Sequence, residues 1–338
     1  MKNSRMEEIG KVLSEAESIL VFTHLNMDAD AVGSSCALVR EFRRLGKKSW
    51  VLFNDSETAD NLRFLLGDLT TDDPSVIEKP DVCLAVDASE TTRFPRVADK
   101  FLSGKIRIAV DHHEIKDTDW EYNYIDPSAG AAGELVLKLF DVMGITPERG
   151  SAEALFAAIS SDTGNFQYNN TTKETFLSCA RLCDFGIRPN AVSNALYECV
   201  KPEKLRLQSE AVSRMEFLLD GRIVMSCLTE EMYEKTGAVP NDGEGIVAEL
   251  RSIKGVEVAV LLKEENGKTY GSFRAKNEAN VRVFAELFGG GGHDKAAGCT
   301  IEHSMKEAYP LVREAAVRHF SKAFEEMEKA GESIGWNS

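Results

Sequence analysis

The 338-residue sequence has no long apolar run. Stretches such as 256–262 fall far below the roughly 20 residues of a membrane span. It has no Cys-x-x-Cys pair, and its seven cysteines (Cys36, Cys83, Cys179, Cys183, Cys199, Cys227, Cys299) are odd in number. Neither a disulfide framework nor a cysteine zinc site is suggested, and Cys179 and Cys183, on one helix face, read as small core residues. Basic residues are few: Lys plus Arg is 40 against 55 for Asp plus Glu, a formal charge of −15. That balance excludes a broad basic surface gripping long nucleic acid, and it disfavours an anionic membrane. A short anionic substrate in a local site stays compatible. Residues 1–17 are charged and amphipathic with no apolar signal core, so a cytoplasmic protein is expected.

The length predicts two domains, and no repeat or low-complexity tract interrupts them. In the first half, apolar strand-like runs at 18–23 (SILVFT), 49–53, 82–86 (VCLAV) and 106–110 (IRIAV) alternate with helical spacings at 9–16, 31–45, 133–143 and 152–159. Such alternation indicates an α/β domain with a mostly parallel sheet flanked by helices. The second half reads as one long connecting helix over 202–219, then a strand at 222–227 and a helix at 245–253. A hairpin over 256–262 and 268–275 follows, turning at Glu265-Asn266-Gly267, with a helix at 280–288, a strand at 296–301 and a closing helix at 306–329. This is a smaller mixed α/β domain. The expected division is a first domain over 1–190, linker helices over 191–219 and a second domain over 220–330.

Four clusters put Asp or His just after an apolar run. They are His24 with Asp28 and Asp30; Asp87; Asp111-His112-His113; and Asp162, which follows the helical run 155–159. Ligands of open parallel sheets bind beyond the carboxyl ends of the strands, so these groups should converge on one crevice. So many carboxylates do not stay ionised side by side without cations. Mixed carboxylate and imidazole donors suit divalent ions, Mn²⁺ first, with Mg²⁺, Fe²⁺, Co²⁺ and Zn²⁺ as alternatives. The number of donors suggests a pair of ions about 3.5–4 Å apart. Taken singly, Asp28 or Asp30 also reads as a helix N-cap and Asp87 as a turn residue.

A second signal lies at Gly289-Gly290-Gly291-Gly292-His293. Consecutive glycines let backbone N–H groups approach an anion, and His293 can donate to a phosphate oxygen. Arg274 and Lys276 alternate on one face of the preceding strand. Residues 268–300 carry five basic against three acidic side chains, a local reversal of the chain's sign.

Together these motifs resemble the DHH phosphoesterase family over nearly the whole chain. HLNMDAD (24–30), Asp87, DHH (111–113) and SDTGNF (160–166) resemble its catalytic domain, with Met27 where the family commonly has proline. GSFRAK (271–276) and GGGGHDKAAG (289–298) resemble the DHH-associated domain. The two-domain size is similar to the oligoribonuclease (nanoRNase) type that also dephosphorylates pAp. The resemblance implies one metal on His24, Asp28 and Asp87 and a second on Asp30, Asp87, His112 and Asp162. It implies that Asp111 supports His112 and that His113 contacts the scissile phosphate. It implies that Arg274, Lys276, Gly290, Gly291, Gly292 and His293 hold a substrate phosphate or terminal nucleotide.

The implied reaction is in-line hydrolysis of short oligoribonucleotides, about 2–5 nucleotides, with the second domain closing on the substrate and longer strands gaining little. Two chains paired through the first domain are also implied. A cyclic dinucleotide (c-di-AMP) phosphodiesterase is the nearest alternative. A family II pyrophosphatase carries a basic motif where this chain has GGGGH, and RecJ-like exonucleases carry additional domains. A non-catalytic nucleotide sensor requires missing ligands, and here every ligand position is filled.

Overall fold

The computed structural model describes residues 3–52, 58–113, 120–277 and 279–329, with side chains as far as 325. Phe53, the last residue of one expected strand, lies outside them. The chain divides into two bodies, Met1–Cys199 and Val200–Ser338.

In the first body, β1 (Ser18–Phe22), β2 (Lys48–Leu52), β3 (Thr70–Thr71), β4 (Val82–Val86), β5 (Ile106–Asp111) and β6 (Tyr122–Ile125) form one sheet. Its order is β3-β2-β1-β4-β5-β6 and every pair is parallel. The helices are α1 (Met6–Glu15), α2 (Ala29–Arg44), α3 (Arg63–Leu66), α4 (Ala98–Leu102), α5 (Ala132–Val142), α6 (Arg149–Asp162), α7 (Lys173–Cys183) and α8 (Pro189–Tyr197). The strands are apolar on both faces, as a covered parallel sheet requires. Ile19, Val21, Leu84 and Val110 pack with α2, α5 and α6. Leu20, Phe22, Cys83 and Ala85 pack on the other side with Phe94 and Phe101.

Because β1, β4 and β5 are neighbours and run the same way, their carboxyl ends open on one edge. α2 and α6 approach closely over this sheet: a Cβ on Gly33 would stand 2.3 Å from the Ala154 carbonyl oxygen. That contact brings the start of α2 and the end of α6 to the same edge.

The second body holds β7 (Glu216–Leu218), β8 (Ile223–Leu228), β9 (Val258–Glu265), β10 (Lys268–Ala275), β11 (Gly291–His293) and β12 (Ala296–Ile301). The order is β11-β12-β10-β9-β8-β7, with β8 and β9 parallel and the other pairs antiparallel. Its helices are α9 (Pro202–Ser213), α10 (Glu230–Thr236), α11 (Ile246–Ser252), α12 (Val281–Glu286) and α13 (Met305–Lys329). α12 and α13 cover one face through Phe273, Phe284 and Phe320. α9, α10 and α11 cover β8 and β9 on the other face through Val224, Ala259 and Leu261. The hairpin turns at Asn266-Gly267 as expected, with φ of 53° and 74°.

The structure departs from the sequence reading in three places. The helix expected over 202–219 stops at Ser213, and Glu216–Leu218 is a strand paired with β8. Leu219, Asp220 and Gly221, with φ of 49°, 54° and 87°, turn the chain back, which a continuing helix forbids. The segment expected to link the domains is shared between them: Val192 and Leu196 of α8 join the first core, and Leu207 and Ala211 of α9 join the second. β6 and α10 were not anticipated; the four residues of β6 and the seven of α10 are too short for a periodic signal.

Asp81, just before β4, ties three strands at their amino ends. It accepts from Ser18 N (3.0 Å), Ser18 Oγ (2.9 Å) and Lys105 Nζ (2.6 Å). The Lys105 ammonium, reinforced by the Ser18 and Glu17 donors against partial burial, pulls its pKa down to about 2. A carboxyl lowered on folding stabilises above its unfolded value near 4, and that stability is lost as pH falls towards 2. Asp81→Asn should therefore cost about 1–2 kcal/mol at pH 7 in urea unfolding. The gap to the parent should narrow below pH 4, and a gap independent of pH would contradict this role.

Candidate metal centre and anion-binding loop

The metal-centre candidates in the first body meet at the edge where β1, β4 and β5 end. Asp87, directly after β4, has a left-handed backbone with φ of 56° and donates its N–H to the Val110 carbonyl of β5 at 3.1 Å. Non-glycine residues rarely adopt this conformation, so the surroundings must hold it. The result is a carboxylate 1% exposed between two imidazoles. His24 Nε2 lies 3.3 Å from one Asp87 oxygen and His112 Nε2 lies 3.4 Å from the other.

Each imidazole is oriented from behind. The Nδ1 of His24 is 2.7 Å from the Leu25 carbonyl, and that of His112 is 3.3 Å from the Ala129 carbonyl. Donation from Nδ1–H to a carbonyl leaves Nε2 as the ligating atom. Asp28 caps α2, accepting from the Asp30 and Ala31 N–H groups at 3.0 Å each, while its other oxygen stands 3.7 Å from His24 Nε2. The cap reading of Asp28 is observed on one oxygen, and the other oxygen is left facing His24, where a ligand would stand.

Asp30 is fixed more tightly. Its oxygens accept from Ala132 N (2.6 Å), Gly133 N (2.9 Å) and Ser34 Oγ (3.0 Å). It thus caps α5, whose own N-cap Ala131 has no side-chain bond to offer. One Asp30 oxygen lies 3.7 Å from His112 Nε2, and Asp162, at the end of α6, lies 3.5 Å from the same atom.

The donor atoms of His24, Asp28 and Asp87 fall within 4.8 Å of one another, as do those of Asp30, His112 and Asp162. Ligands about 2.1 Å from one ion, at right or tetrahedral angles, stand about 3–3.5 Å apart, close to these spacings. An oxygen of Asp87 and the Nε2 of His112 are buried with no hydrogen-bond partner among the described residues. Two orphan polar atoms facing each other in a carboxylate-imidazole cluster fit a cation between them.

Without a cation, protons take its place. Burial alone would lower the His24 pKa, but its contacts with Asp28 and Asp87 outweigh this and raise it to about 10. His112 is raised against its burial by Asp87, Asp30 and Asp162. Burial, and then the charges of Asp87 and Asp28, push Asp162 up to about 6. Burial and the charge of Asp87 also raise Asp30 well above the carboxylate range.

Asp111 differs from the role implied by the resemblance. Its Oδ1 accepts from His113, at 2.9 Å from the ring Nδ1 and 3.0 Å from the backbone N–H. It steadies His113, while His112 rests on the Ala129 carbonyl. The buried Asp111 carboxyl is held low by His113, with help from Ser89. His113 is the more open imidazole, its side chain 45% exposed, with Nδ1 3.4 Å from Asp87.

In the second body the glycines are not equivalent. A Cβ on Gly290 would stand 2.1 Å from the Gly298 oxygen, and one on Gly292 2.6 Å from the Ala296 oxygen. Both are glycine because β11 lies so close to β12. A Cβ on Gly291 would meet nothing within 4 Å, so its backbone faces open space. His293 is exposed at the end of β11.

Arg274 and Lys276 sit where the alternation places them, and α11 adds Arg251, which no sequence signal linked to them. Among the described residues none of these three cations has an ion pair. Burial and the Arg251 charge lower both the Arg274 and Lys276 pKa values. Only the Glu244 charge opposes this on Arg274, and half-buried cations held this close together favour an anion beside them. Ser89 and Arg251 escaped the sequence reading because single polar residues in a turn and on a short helix carry no periodic signal.

Comparison with known proteins bears on this pairing of sites. The model of the DHH family N-terminal domain matches residues 18–159, and that of the DHHA1 domain matches 222–327. The bifunctional oligoribonuclease and PAP phosphatase NrnA of Thermus thermophilus is 30% identical over 94% of this chain and 95% of its own. Its namesake from Bacillus subtilis is 26% identical over 89% and 94%. An exopolyphosphatase-related protein from Bacteroides fragilis superposes with a TM-score of 0.87 at 26% identity, covering 95% of this chain and 97% of its own. With both domains matched in order and a relative of this likeness spanning nearly its whole length, the chain belongs to the DHH family, a DHH domain followed by a DHHA1 domain.

Proposed function

We propose that this protein is a metal-dependent phosphoesterase that hydrolyses short oligoribonucleotides, about 2–5 nucleotides long, to mononucleotides and releases the 3′-phosphate of pAp. The observation that carries the proposal is the buried cluster centred on Asp87, where orphan donor atoms converge at three parallel strand ends. The likeness to NrnA proteins supports the substrate class.

His24, Asp28 and Asp87 are assigned to one divalent cation, and Asp30, Asp87, His112 and Asp162 to a second, Mn²⁺ first. Such cations supply an activated water and offset charge developing on the phosphate. Asp87, with one oxygen beside His24 and the other beside His112, would serve both sets. Asp30 is held in place by the α5 N–H groups and Ser34. The Leu25 and Ala129 carbonyls hold His24 and His112 in the ligating tautomer. His113, oriented by Asp111, donates a hydrogen bond to the phosphate as its charge grows. Arg274, Lys276, Arg251, His293 and the Gly291 backbone bind the remaining anionic part of the substrate.

Asp87→Ala should abolish Mn²⁺-dependent turnover of pApA, pAp and c-di-AMP assayed side by side. Retained turnover excludes Asp87 as the shared ligand, and preference for c-di-AMP would favour the cyclic dinucleotide reading. Metal uptake should also release protons. His24, raised to about 10, and His112, raised likewise, are protonated at pH 7 but must be neutral to ligate. Calorimetric Mn²⁺ titration in buffers of different ionisation heat should show roughly two protons released per chain, with affinity rising with pH. Zero release would contradict ligation by these histidines. Gly291→Ala has room for its methyl group and should fold normally, yet raise KM several-fold; an unchanged KM removes the loop from the substrate site.

A further inference from the structure

The open half of the second sheet forms a trough. α9, α10 and α11 cover β8 and β9, and α11 also reaches β10, while Tyr270, Ser272 and Arg274 on that face stand half-exposed in a row. Beside Tyr270 and Ser272 lies a cavity of 910 Å³, floored by the Gly298 and Gly290 backbone and walled by Tyr233, Asn241 and Glu244. Its volume is that of a site for a small organic ligand, and its lining mixes aromatic rings with hydrogen-bonding groups.

The two ends of the row differ in charge. Arg274 stands near Arg251, and neither has an ion pair among the described residues, although the Glu244 charge also acts on Arg274. At the Tyr270 end the cavity is bordered by Glu230, Glu234, Glu264 and Glu265, and its one lysine there, Lys263 opposite Tyr270, is neutralised by Glu244. A phosphate is therefore drawn to Arg274 and repelled from Tyr270, while an uncharged planar group with polar edges suits the Tyr270 end. Tyr270 and Arg274 are four residues apart on one strand, about 13 Å, a span suited to one nucleotide.

We propose that this trough is a nucleobase subsite: one nucleotide lies along β10 with its phosphate at Arg274 and Arg251 and its base on the Tyr270 ring. Ser272 and Asn241 offer hydrogen bonds to the base edge, and Glu244, already paired with Lys263 at 2.6 Å, borders it. The proposal rests on the reading of the second body as the substrate holder and adds the base to what it holds.

The test is a double-mutant cycle on the full-length protein with Mn²⁺. kcat/KM is measured for pApA and for analogues in which the 5′ or the 3′ residue is abasic. In the parent, loss of one of the two bases should cost roughly tenfold, within the range that stacking on an aromatic ring gives. In Tyr270→Ala that penalty should shrink to about twofold or less, and Tyr270→Phe should retain it. Ser272→Leu, filling the trough from the next position, should also shrink it. An equal penalty in the parent and in both trough-altering variants, or no penalty in the parent at either end, would overturn the subsite. Failure of the parent to cleave intact pApA would instead overturn the proposed function.

Discussion

The structure of the first body turns on one buried carboxylate. Asp87 is 1% exposed, and one of its oxygens has no hydrogen-bond donor among the described residues. An isolated buried carboxylate is costly enough that it normally takes a proton or finds a counter-charge. Here its neighbours are imidazoles, themselves crowded by Asp28, Asp30 and Asp162. A cluster of this composition calls for balancing positive charge, which protons supply here and which a metal ion could supply in their place. The raised His24 and His112 pKa values and the orphan atoms express the same balance.

Much of the surrounding fold keeps that carboxylate in place. Parallel pairing of β1, β4 and β5 brings three strand ends to one edge, and the left-handed turn at Asp87 aims its side chain there. Gly33 lets α2 and α6 approach, so Asp30 and Asp162 reach the same imidazole. Asp30 also caps α5, which couples helix packing to site geometry. Removing it would free two N–H groups at the helix start, so on the proposed ligand role stability and chemistry would share this residue.

This dual use explains what the sequence made legible. Strand-end Asp and His residues stand out because an apolar run followed by a charged group is a local pattern. His24, Asp28, Asp30, Asp87, His112 and Asp162 were all visible in this way, and so were the parallel sheet and the β9–β10 hairpin. What escaped depends on contacts between distant segments. The partner of Asp111 is decided by the turn after β5, and the neighbourhood of Arg251 and Arg274 by how α11 packs on the sheet. The end of α9 escaped because the turn at Leu219–Gly221 competes with helical spacing, and strand pairing with β8 wins.

The chain's formal charge of −15 is compatible with phosphate chemistry because the relevant fields are local. Around Asp87 the acidic side chains are already committed to imidazoles and helix N–H groups, so they do not present a bare negative surface. In the second body the sign reverses over a few residues, where Arg251, Arg274 and Lys276 stand without carboxylate partners among the described residues. A polyanion longer than these patches meets the acidic remainder of the surface, so each further phosphate adds repulsion rather than counterion release. A short substrate places its charge on the few favourable groups and leaves little elsewhere. On the proposed function, preference for short substrates would follow from the size of the cationic patch, and the same acidity that disfavours long nucleic acid would sharpen the grip on a single nucleotide.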